Sequence, residues 1–288
     1  MTIKIGALVE AGELSADLVR TLEETGFESL SISFWERVDE AVLDSACALL
    51  EGSSLSVSAL SVWGNPLESD VVRSGWSTLI AAAHRFGSPF VTGFAGRLAG
   101  ASVEASLDSW QDLFLHLLDE GHRAGVKGIL MENCRMGDLW KRGAWNIAIN
   151  DAAWRLLFER IGDERLGLEW EPCHQIEAFV DPIAQLGRWK ERIHHIHGKD
   201  AAVDHALLSQ IGLYSPKKAV TSTLPGGGDT DWHELLRLLV ASGWTGSIDL
   251  EVPKGAFSAS LPAASVSLEH LKECRSTAQK KIRPVARI

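Results

Sequence analysis

The stretch LGLEWEPCH, residues 166–174, decides the fold. It begins as a short apolar run that is typical of a buried strand, and it ends in two carboxylates, a proline and a histidine. Similar β-rich runs alternate along the chain with longer runs of helical periodicity, a pattern that is typical of βα units around a parallel sheet. Strands are predicted over residues 3–9, 29–34, 55–62, 89–94, 127–132, 166–171, 193–197 and 247–251.

Helical patterns fill the segments between these strands, and capping residues mark their ends. A Ser or Asp that can accept a hydrogen bond from a backbone N–H stands near each start, and a glycine suited to the left-handed conformation follows most of the ends. The predicted helices cover residues 15–24, 39–50, 69–86, 102–124, 151–161, 181–191, 231–242 and a last stretch from about residue 264. The sequence therefore predicts an α/β fold, a (β/α)8 TIM barrel that forms a single domain over residues 1–288.

The longest interval between predicted strands lies between the seventh and the eighth. Residues 205–228 within it contain two prolines and three consecutive glycines, which are typical of a loop. Because long loops in compact domains usually carry function, this segment is predicted to cover the active site.

Composition excludes several classes of partner. The formal net charge is -10, from 38 acidic and 28 basic residues, so the chain is not expected to bind nucleic acid. Its four cysteines are far apart and show no CxxC spacing, which favours reduced thiols in the cytoplasm. No leader sequence or long apolar segment predicts export or a membrane partner. The sequence leaves the oligomeric state open, a homo-oligomer included.

The predicted chemistry lies where four consecutive strands end, because loops at the C-terminal face of a TIM barrel carry its active site. Glu132 ends the fifth strand, Glu171 the sixth, His197 the seventh and Glu251 the eighth. Carboxylate oxygens and imidazole nitrogens that converge on one point are ligands for a divalent cation. One such residue alone is usually a solvated loop side chain, but four at the same level predict a site for one divalent metal ion, Mn, Mg, Co or Zn.

Two deeper residues share the inward face of these strands. Side chains alternate across a strand, so Glu169 faces the same way as Glu171, and His195 the same way as His197. Each is either a substitute ligand or a partner that supports a ligand.

Several motifs together resemble the xylose isomerase-like barrel family of sugar isomerases and epimerases, a superfamily that also contains apurinic endonucleases. The resemblance covers nearly the whole chain. It is carried by SALSVWGNPL (58–67), VTGFAGR (91–97), ENC (132–134), NIAINDAAWRLLFE (146–159), GLEWEPCH (167–174), HIHGKD (195–200), LPGGGDTDW (224–232) and GWTGSIDLE (243–251).

This resemblance implies one metal held by Glu132, Glu171, His197 and Glu251, with His174 in contact with the substrate. Two departures from the family pattern stand out. The family usually has Asp where this chain has Glu171, and the extra methylene carries the carboxylate about 1.5 Å further. Thr223 stands where many relatives have Arg, and Val252-Pro253 replaces an acidic cluster, so substrate recognition is expected to differ.

By resemblance, the predicted activity is that of a sugar isomerase or epimerase on a ketose or keto-sugar. Glu132 and Glu251 are the expected catalytic residues, which move a proton through an enediolate. The predicted substrate contacts from side chains at the mouth of the barrel are Trp63, Lys199, Asp200 and Arg97, the last toward a phosphate or carboxylate.

Two alternatives stay open at this point, and a third is disfavoured. The same enolisation can expel a β-substituent, which describes a metal-dependent lyase or hydratase on a keto-sugar or keto-glycoside. A metal-free sugar-binding barrel is the second alternative, because Glu171 stands in place of the usual Asp ligand. DNA-repair hydrolysis is disfavoured, because the chain is acidic and lacks the additional His and Asp ligands after HIHGKD.

Overall fold

Eight parallel strands form a closed barrel in the computed structural model, which describes residues 3–253 and 255–282. Around the barrel the strands follow the order β1-β10-β7-β6-β5-β4-β3-β2. They cover Lys4–Glu10 (β1), Ser29–Trp35 (β2), Ser56–Trp63 (β3), Phe90–Gly93 (β4), Ile129–Glu132 (β5), Leu166–Trp170 (β6), Ile193–Gly198 (β7) and Ser247–Leu250 (β10). The predicted fold is confirmed, and each predicted strand lies within two residues of an observed one at both ends.

Helices lie between the strands and surround the barrel. They cover Ala16–Thr25 (α1), Glu40–Leu49 (α2), Asp70–Ala82 (α3), Val103–Ala124 (α4), Asp151–Arg160 (α5), Pro172–Glu177 (α6), Pro182–Trp189 (α7), His205–Ile211 (α8), Trp232–Ala241 (α9) and Phe257–Ile282 (α10). Short 3-10 turns follow β1 and α3, at Ala11–Glu13 and Ala83–Phe86. No helix among the described residues is long and apolar enough to cross a membrane.

The segment after β7 corrects the prediction of an irregular loop. Strands β8 (Asp200–Val203) and β9 (Val220–Thr223) pair antiparallel, and α8 lies between them. This hairpin packs against α6. Two helix boundaries also differ from the prediction: α10 begins at Phe257, before residue 264, and α5 ends at Arg160 without a left-handed Gly162.

Predicted helix caps are present at most helix ends. Ser69, for example, precedes α3 and accepts a hydrogen bond from the backbone N–H of Val72 at 3.3 Å. Among the glycines that follow helices, Gly26 and Gly125 have φ of 91° and 71°, the left-handed region that a residue with a Cβ avoids.

Replacing Ser69 by Ala is expected to lower the free energy of unfolding by about 1 kcal/mol, because the N–H of Val72 loses its acceptor. Urea denaturation followed by circular dichroism measures the change. Ser74→Ala is the matched control, since Ser74 is an exposed residue within α3 and caps nothing. An equal effect of both substitutions contradicts the capping role.

The apolar core lies between the barrel and its helices. On β2, Leu30, Ile32 and Phe34 pack into this layer, whereas Ser29 and Ser31 alternate with them. Five of the eleven tryptophans are completely or almost completely buried in this core: Trp76, Trp110, Trp154, Trp170 and Trp232.

The inside of the barrel is polar, unlike the layers of branched aliphatic side chains that fill many TIM barrels. The Thr92 hydroxyl donates to Glu169 at 2.9 Å, and the Ser29 hydroxyl donates to Asp249 at 2.5 Å. Buried polar groups persist where hydrogen bonds satisfy them. This polar layer lies beneath the residues that end the strands at the C-terminal mouth of the barrel.

Candidate metal centre

The four residues predicted as metal ligands lie together at the C-terminal mouth of the barrel. Glu132 is the last residue of β5, Glu171 directly follows β6, His197 lies on β7, and Glu251 directly follows β10. One ligand atom from each lies within 4.8 Å of the others. Parallel strands end at the same face of the barrel, which is why residues distant in sequence converge there.

His197 lies at the centre of this four-residue cluster. Its Nδ1 atom is 3.3 Å from Glu251 Oε2, 3.5 Å from Glu132 Oε1 and 3.9 Å from Glu171 Oε2. Glu132, Glu171 and His197 are buried, and the Glu251 side chain keeps 23% of its exposure. The cluster therefore opens toward solvent on the side of Glu251.

The donor atoms fit a divalent cation. Both carboxylate oxygens of Glu171, the Nδ1 atom of His197 and Oε2 of Glu251 are buried without a hydrogen-bond partner among the described residues. Buried polar atoms normally have partners, so such a concentration indicates a ligand. Three carboxylates and one imidazole are the donors that Mn²⁺, Mg²⁺, Co²⁺ and Zn²⁺ accept.

The pKa of Glu132 lies above the usual value of a glutamate. Burial raises the pKa of Glu132 to about 7, with the charges of Glu171 and Glu251 adding to the rise and His197 opposing it. A carboxyl group with a pKa near neutrality exchanges protons readily in both directions.

Asn133 fixes the backbone of Glu171, a contact that the sequence analysis did not anticipate. Its side-chain oxygen accepts from the Glu171 N–H at 2.8 Å, and its amide nitrogen donates to the Glu171 carbonyl at 3.2 Å. Glu171 is the residue that precedes Pro172 at the first turn of α6. The two hydrogen bonds and the following Pro172 restrict the backbone of Glu171. The longer Glu side chain is thereby held inside the cluster.

Two cationic side chains border the cluster. His174 Nε2 lies 3.1 Å from Glu171 Oε2, and Lys199 Nζ lies 2.6 Å from Glu251 Oε1 and 3.4 Å from Glu171 Oε1. Burial lowers the pKa of His174, but the charge of Glu171 outweighs it and raises that pKa well above its usual value. Positive groups therefore stand beside two of the three carboxylates.

Trp63 lies at the edge of the cluster, as predicted for a residue that stacks on substrate. Its ring packs edge-on against His197, with 5.8 Å between ring centroids, and a pocket of about 240 Å³ runs between Trp63, Trp35 and Glu251. The pocket gives a small molecule access to the cluster from the β2–β3 side of the mouth.

The structure does not bring Arg97 and Asp200 to the cluster, and this corrects their predicted contacts with substrate. The Arg97 guanidinium is buried, donates to the carbonyls of Ala101 and Trp140, and lies 3.6 Å from Asp138. It thereby anchors the loop after β5.

Asp200 is also completely buried. Its carboxylate accepts from the N–H of Thr230 at 3.1 Å and from the Trp232 indole at 2.9 Å. The side chain therefore ties β8 to the start of α9, and both of its oxygens are occupied by protein donors.

Comparison with known proteins agrees with the fold. The model of the xylose isomerase-like TIM barrel family matches residues 19–274. The chain therefore belongs to the xylose isomerase-like TIM barrel family.

Two curated proteins are similar over part of the chain. The rhizopine catabolism protein MocC of Rhizobium meliloti is 33% identical over 91 residues, 31% of this chain and 28% of that protein. The uncharacterized protein YfiH of Bacillus subtilis is 28% identical over 119 residues, 38% of this chain and 37% of that protein. The matched stretches thus span less than two fifths of these relatives.

Solved structures match over nearly the whole chain. An L-ribulose 3-epimerase has a TM-score of 0.70 at 16% identity, with 99% of both chains covered. The 3-keto-D-glucoside 4-epimerase YcjR of E. coli has a TM-score of 0.68 at 16% identity, covering 95% of this chain and 100% of that one. A xylose isomerase-like protein of Mycobacterium smegmatis, in complex with magnesium, has a TM-score of 0.67 at 15% identity, with 96% and 98% covered. At these identities the likeness shows a shared fold.

Proposed function

We propose that this protein is a divalent-metal-dependent isomerase or epimerase of a ketose or keto-sugar. The observation that carries the proposal is the convergence of three carboxylates and His197 at the barrel mouth, with buried donor atoms that lack partners among the described residues. The names of structural neighbours, among them sugar epimerases, support the same class of substrate.

The cation is proposed to be held by Glu132, Glu171, His197 and Glu251. When bound, it polarises a carbonyl and the neighbouring hydroxyl of the sugar, which acidifies the C–H bond between them. A magnesium complex of a structural neighbour supports a divalent ion in this fold.

Glu132 and Glu251 are the proposed proton carriers. They stand at the ends of β5 and β10, which β6 and β7 separate, so the two carboxylates approach a bound sugar from different sides. One removes the proton from the carbon next to the carbonyl, and the other returns a proton to the opposite face of the enediolate. The pKa of about 7 for Glu132 suits this exchange near neutral pH.

Three further side chains are proposed to bind the sugar. Lys199 and His174 are positively charged and lie within hydrogen-bond distance of the ligand carboxylates, so they can reach hydroxyl groups on the bound substrate. Trp63 offers an apolar face to the C–H face of a sugar ring.

Elimination of a β-substituent is a second candidate, and the position of Lys199 favours it. Its ammonium group lies 2.6 Å from Glu251 and can hold a departing hydroxyl by a hydrogen bond. The hydroxyl then leaves as water with the α-proton that Glu132 has taken up. Loss of water from the substrate, seen by mass spectrometry of the products, distinguishes this lyase from an isomerase.

The deciding experiment is metal content by plasma mass spectrometry on protein purified without chelators. The wild type is expected to carry about one divalent ion per chain, and the double variant Glu132→Gln, Glu251→Gln to lose it, because two charged ligands become neutral amides. The matched control changes two carboxylates of the outer helices, Glu104→Gln and Glu269→Gln. If the wild type holds no ion after incubation with Mn²⁺, the proposed mechanism is wrong and a metal-free binding barrel replaces it.

If the protein retains a metal ion, its activity is then measured on a panel of sugars. The panel comprises L-ribulose, D-tagatose, D-psicose, D-fructose and 3-keto-glucosides, and the solvent is deuterium oxide. Deuterium at the carbon next to the carbonyl, in substrate or product, is the expected result for an isomerase or epimerase.

A further inference from the structure

A chain of charged residues lies inside the barrel, directly beneath the four-residue cluster. Its members are Asp249 on β10, His195 on β7 and Glu169 on β6, three neighbouring strands of the barrel. All three side chains are buried. Burying charges is costly unless they are paired, so a set of three in one place calls for a role.

The three groups are tightly paired with one another. His195 Nδ1 lies 2.7 Å from Glu169 Oε1, and His195 Nε2 lies 2.7 Å from Asp249 Oδ2. Each ring nitrogen of His195 is therefore engaged by a carboxyl group. The hydroxyl groups of Ser29 and Ser58 donate to Asp249 and anchor the far end of the chain.

This pairing argues against Glu169 and His195 as ligands of a cation. Both ring nitrogens of His195 already lie 2.7 Å from carboxyl oxygens, so neither is free to face a cation. Each oxygen of Glu169 already contacts a protein donor, since Oε1 contacts His195 and Thr92 donates to Oε2 at 2.9 Å. The two residues therefore support the site above them.

Glu169 reaches the cluster through His197. The Nε2 atom of His197 lies 3.2 Å from Glu169 Oε1, while Nδ1 on the other side of the ring faces Glu132, Glu171 and Glu251. A neutral imidazole carries one proton, and the nitrogen next to a fixed carboxylate keeps it. The opposite nitrogen then presents its lone pair.

We propose that Glu169 is a positioning residue that holds the proton of His197 on Nε2, so that Nδ1 is the atom that binds the cation. Asp249 and His195 keep Glu169 in place. The inference rests on the proposed function, because it assigns a ligand atom within the same site.

The variant that tests it is Glu169→Gln, which keeps the shape of the side chain and removes its charge. Its affinity for Mn²⁺, measured by calorimetry, is expected to fall by about 10- to 100-fold, the usual loss when a partner of a metal-bound histidine is changed. Glu28→Gln is the matched control, because Glu28 is a partly buried glutamate that pairs with Arg275 and precedes β2, away from the cluster. The control is expected to bind Mn²⁺ as the wild type does.

A second measurement needs no variant at Glu169. In wild-type protein with ¹⁵N-labelled histidine and ¹¹³Cd²⁺ in place of Mn²⁺, the cadmium is expected to couple to Nδ1 of one histidine whose Nε2 is protonated. Loss of that signal in His197→Gln assigns it. If Glu169 had a purely structural role, it would not determine which nitrogen of His197 binds the cation.

The results of these experiments test the positioning role of Glu169 and the proposed function separately. Coupling through Nε2, or a Glu169→Gln protein that binds Mn²⁺ as tightly as the wild type, overturns the positioning role and leaves the proposed function intact. A wild type that binds neither cation overturns the proposed function, and this inference falls with it.

Discussion

Replacing Glu132 by Gln is expected to reduce interconversion of the sugar epimers by about 10³-fold, within the range that positioned acid–base groups contribute. Gln has nearly the same shape as Glu but cannot take up a proton. Glu251→Gln is expected to have a comparable effect. The measurement is the initial rate on the best ketose of the panel, at saturating Mn²⁺ so that weakened metal binding does not determine the result.

Deuterium exchange separates the two carboxylates in these variants. If each serves one face of the reacting carbon, each single variant loses interconversion but still exchanges the proton of one epimer with solvent, and the two variants differ in which epimer exchanges. Glu269→Gln, on the outer face of α10, is the control and is expected to keep the wild-type rate. Exchange of both epimers at wild-type rates in both variants contradicts the two-carboxylate mechanism.

The barrel was predictable because its signals are local and repeated. Each strand is a short β-rich run, and each helix begins at a residue such as Ser69 that caps its own first turn. The closure of parallel strands then brings their ends together, so Glu132, Glu171, His197 and Glu251 could be placed in one cluster from the sequence.

Contacts that depend on tertiary structure were not predictable in the same way. Arg97 and Asp200 stand in motifs next to the mouth, but their orientation depends on Asp138 and on Trp232, which are 41 and 32 residues away along the chain. Strand β9 lies within residues 205–228, which were predicted as a loop, because the strand has only four residues and prolines and glycines surround it. Short strands with such neighbours carry little periodicity.

The sequence predicts the buried polar residues inside the barrel only in part. Alternation placed Glu169 and His195 on the inward face, but it left open whether they bind a metal or support a ligand. The contact between the Asp249 carboxylate and the second nitrogen of His195 favours the supporting role. That contact joins two strands 54 residues apart, and no local pattern announces it.

The second large effect is expected from Gly6→Ala, which should lower the free energy of unfolding by about 3 kcal/mol or more, the upper part of the range for overpacked interiors. Gly6 lies on β1 opposite Asp249 on β10. A Cβ at this position would overlap the Asp249 carboxylate and the backbone carbonyl of Ser29. Backbone of a neighbouring strand cannot move aside without disturbing the barrel, so the clash is not relieved by a change of rotamer.

Thermal and urea unfolding of Gly6→Ala measure this loss, with Gly12→Ala as the matched control. Gly12 is exposed in the 3-10 turn after β1, and a Cβ there meets no atom within 4 Å, so its substitution is expected to change stability by less than about 0.5 kcal/mol. Because the clash at Gly6 also displaces Asp249, folded Gly6→Ala protein is expected to bind Mn²⁺ more weakly, whereas Gly12→Ala is not. Equal stability of the two variants would show that the barrel interior has room at β1, and the close packing of Gly6 against Asp249 would then be wrong.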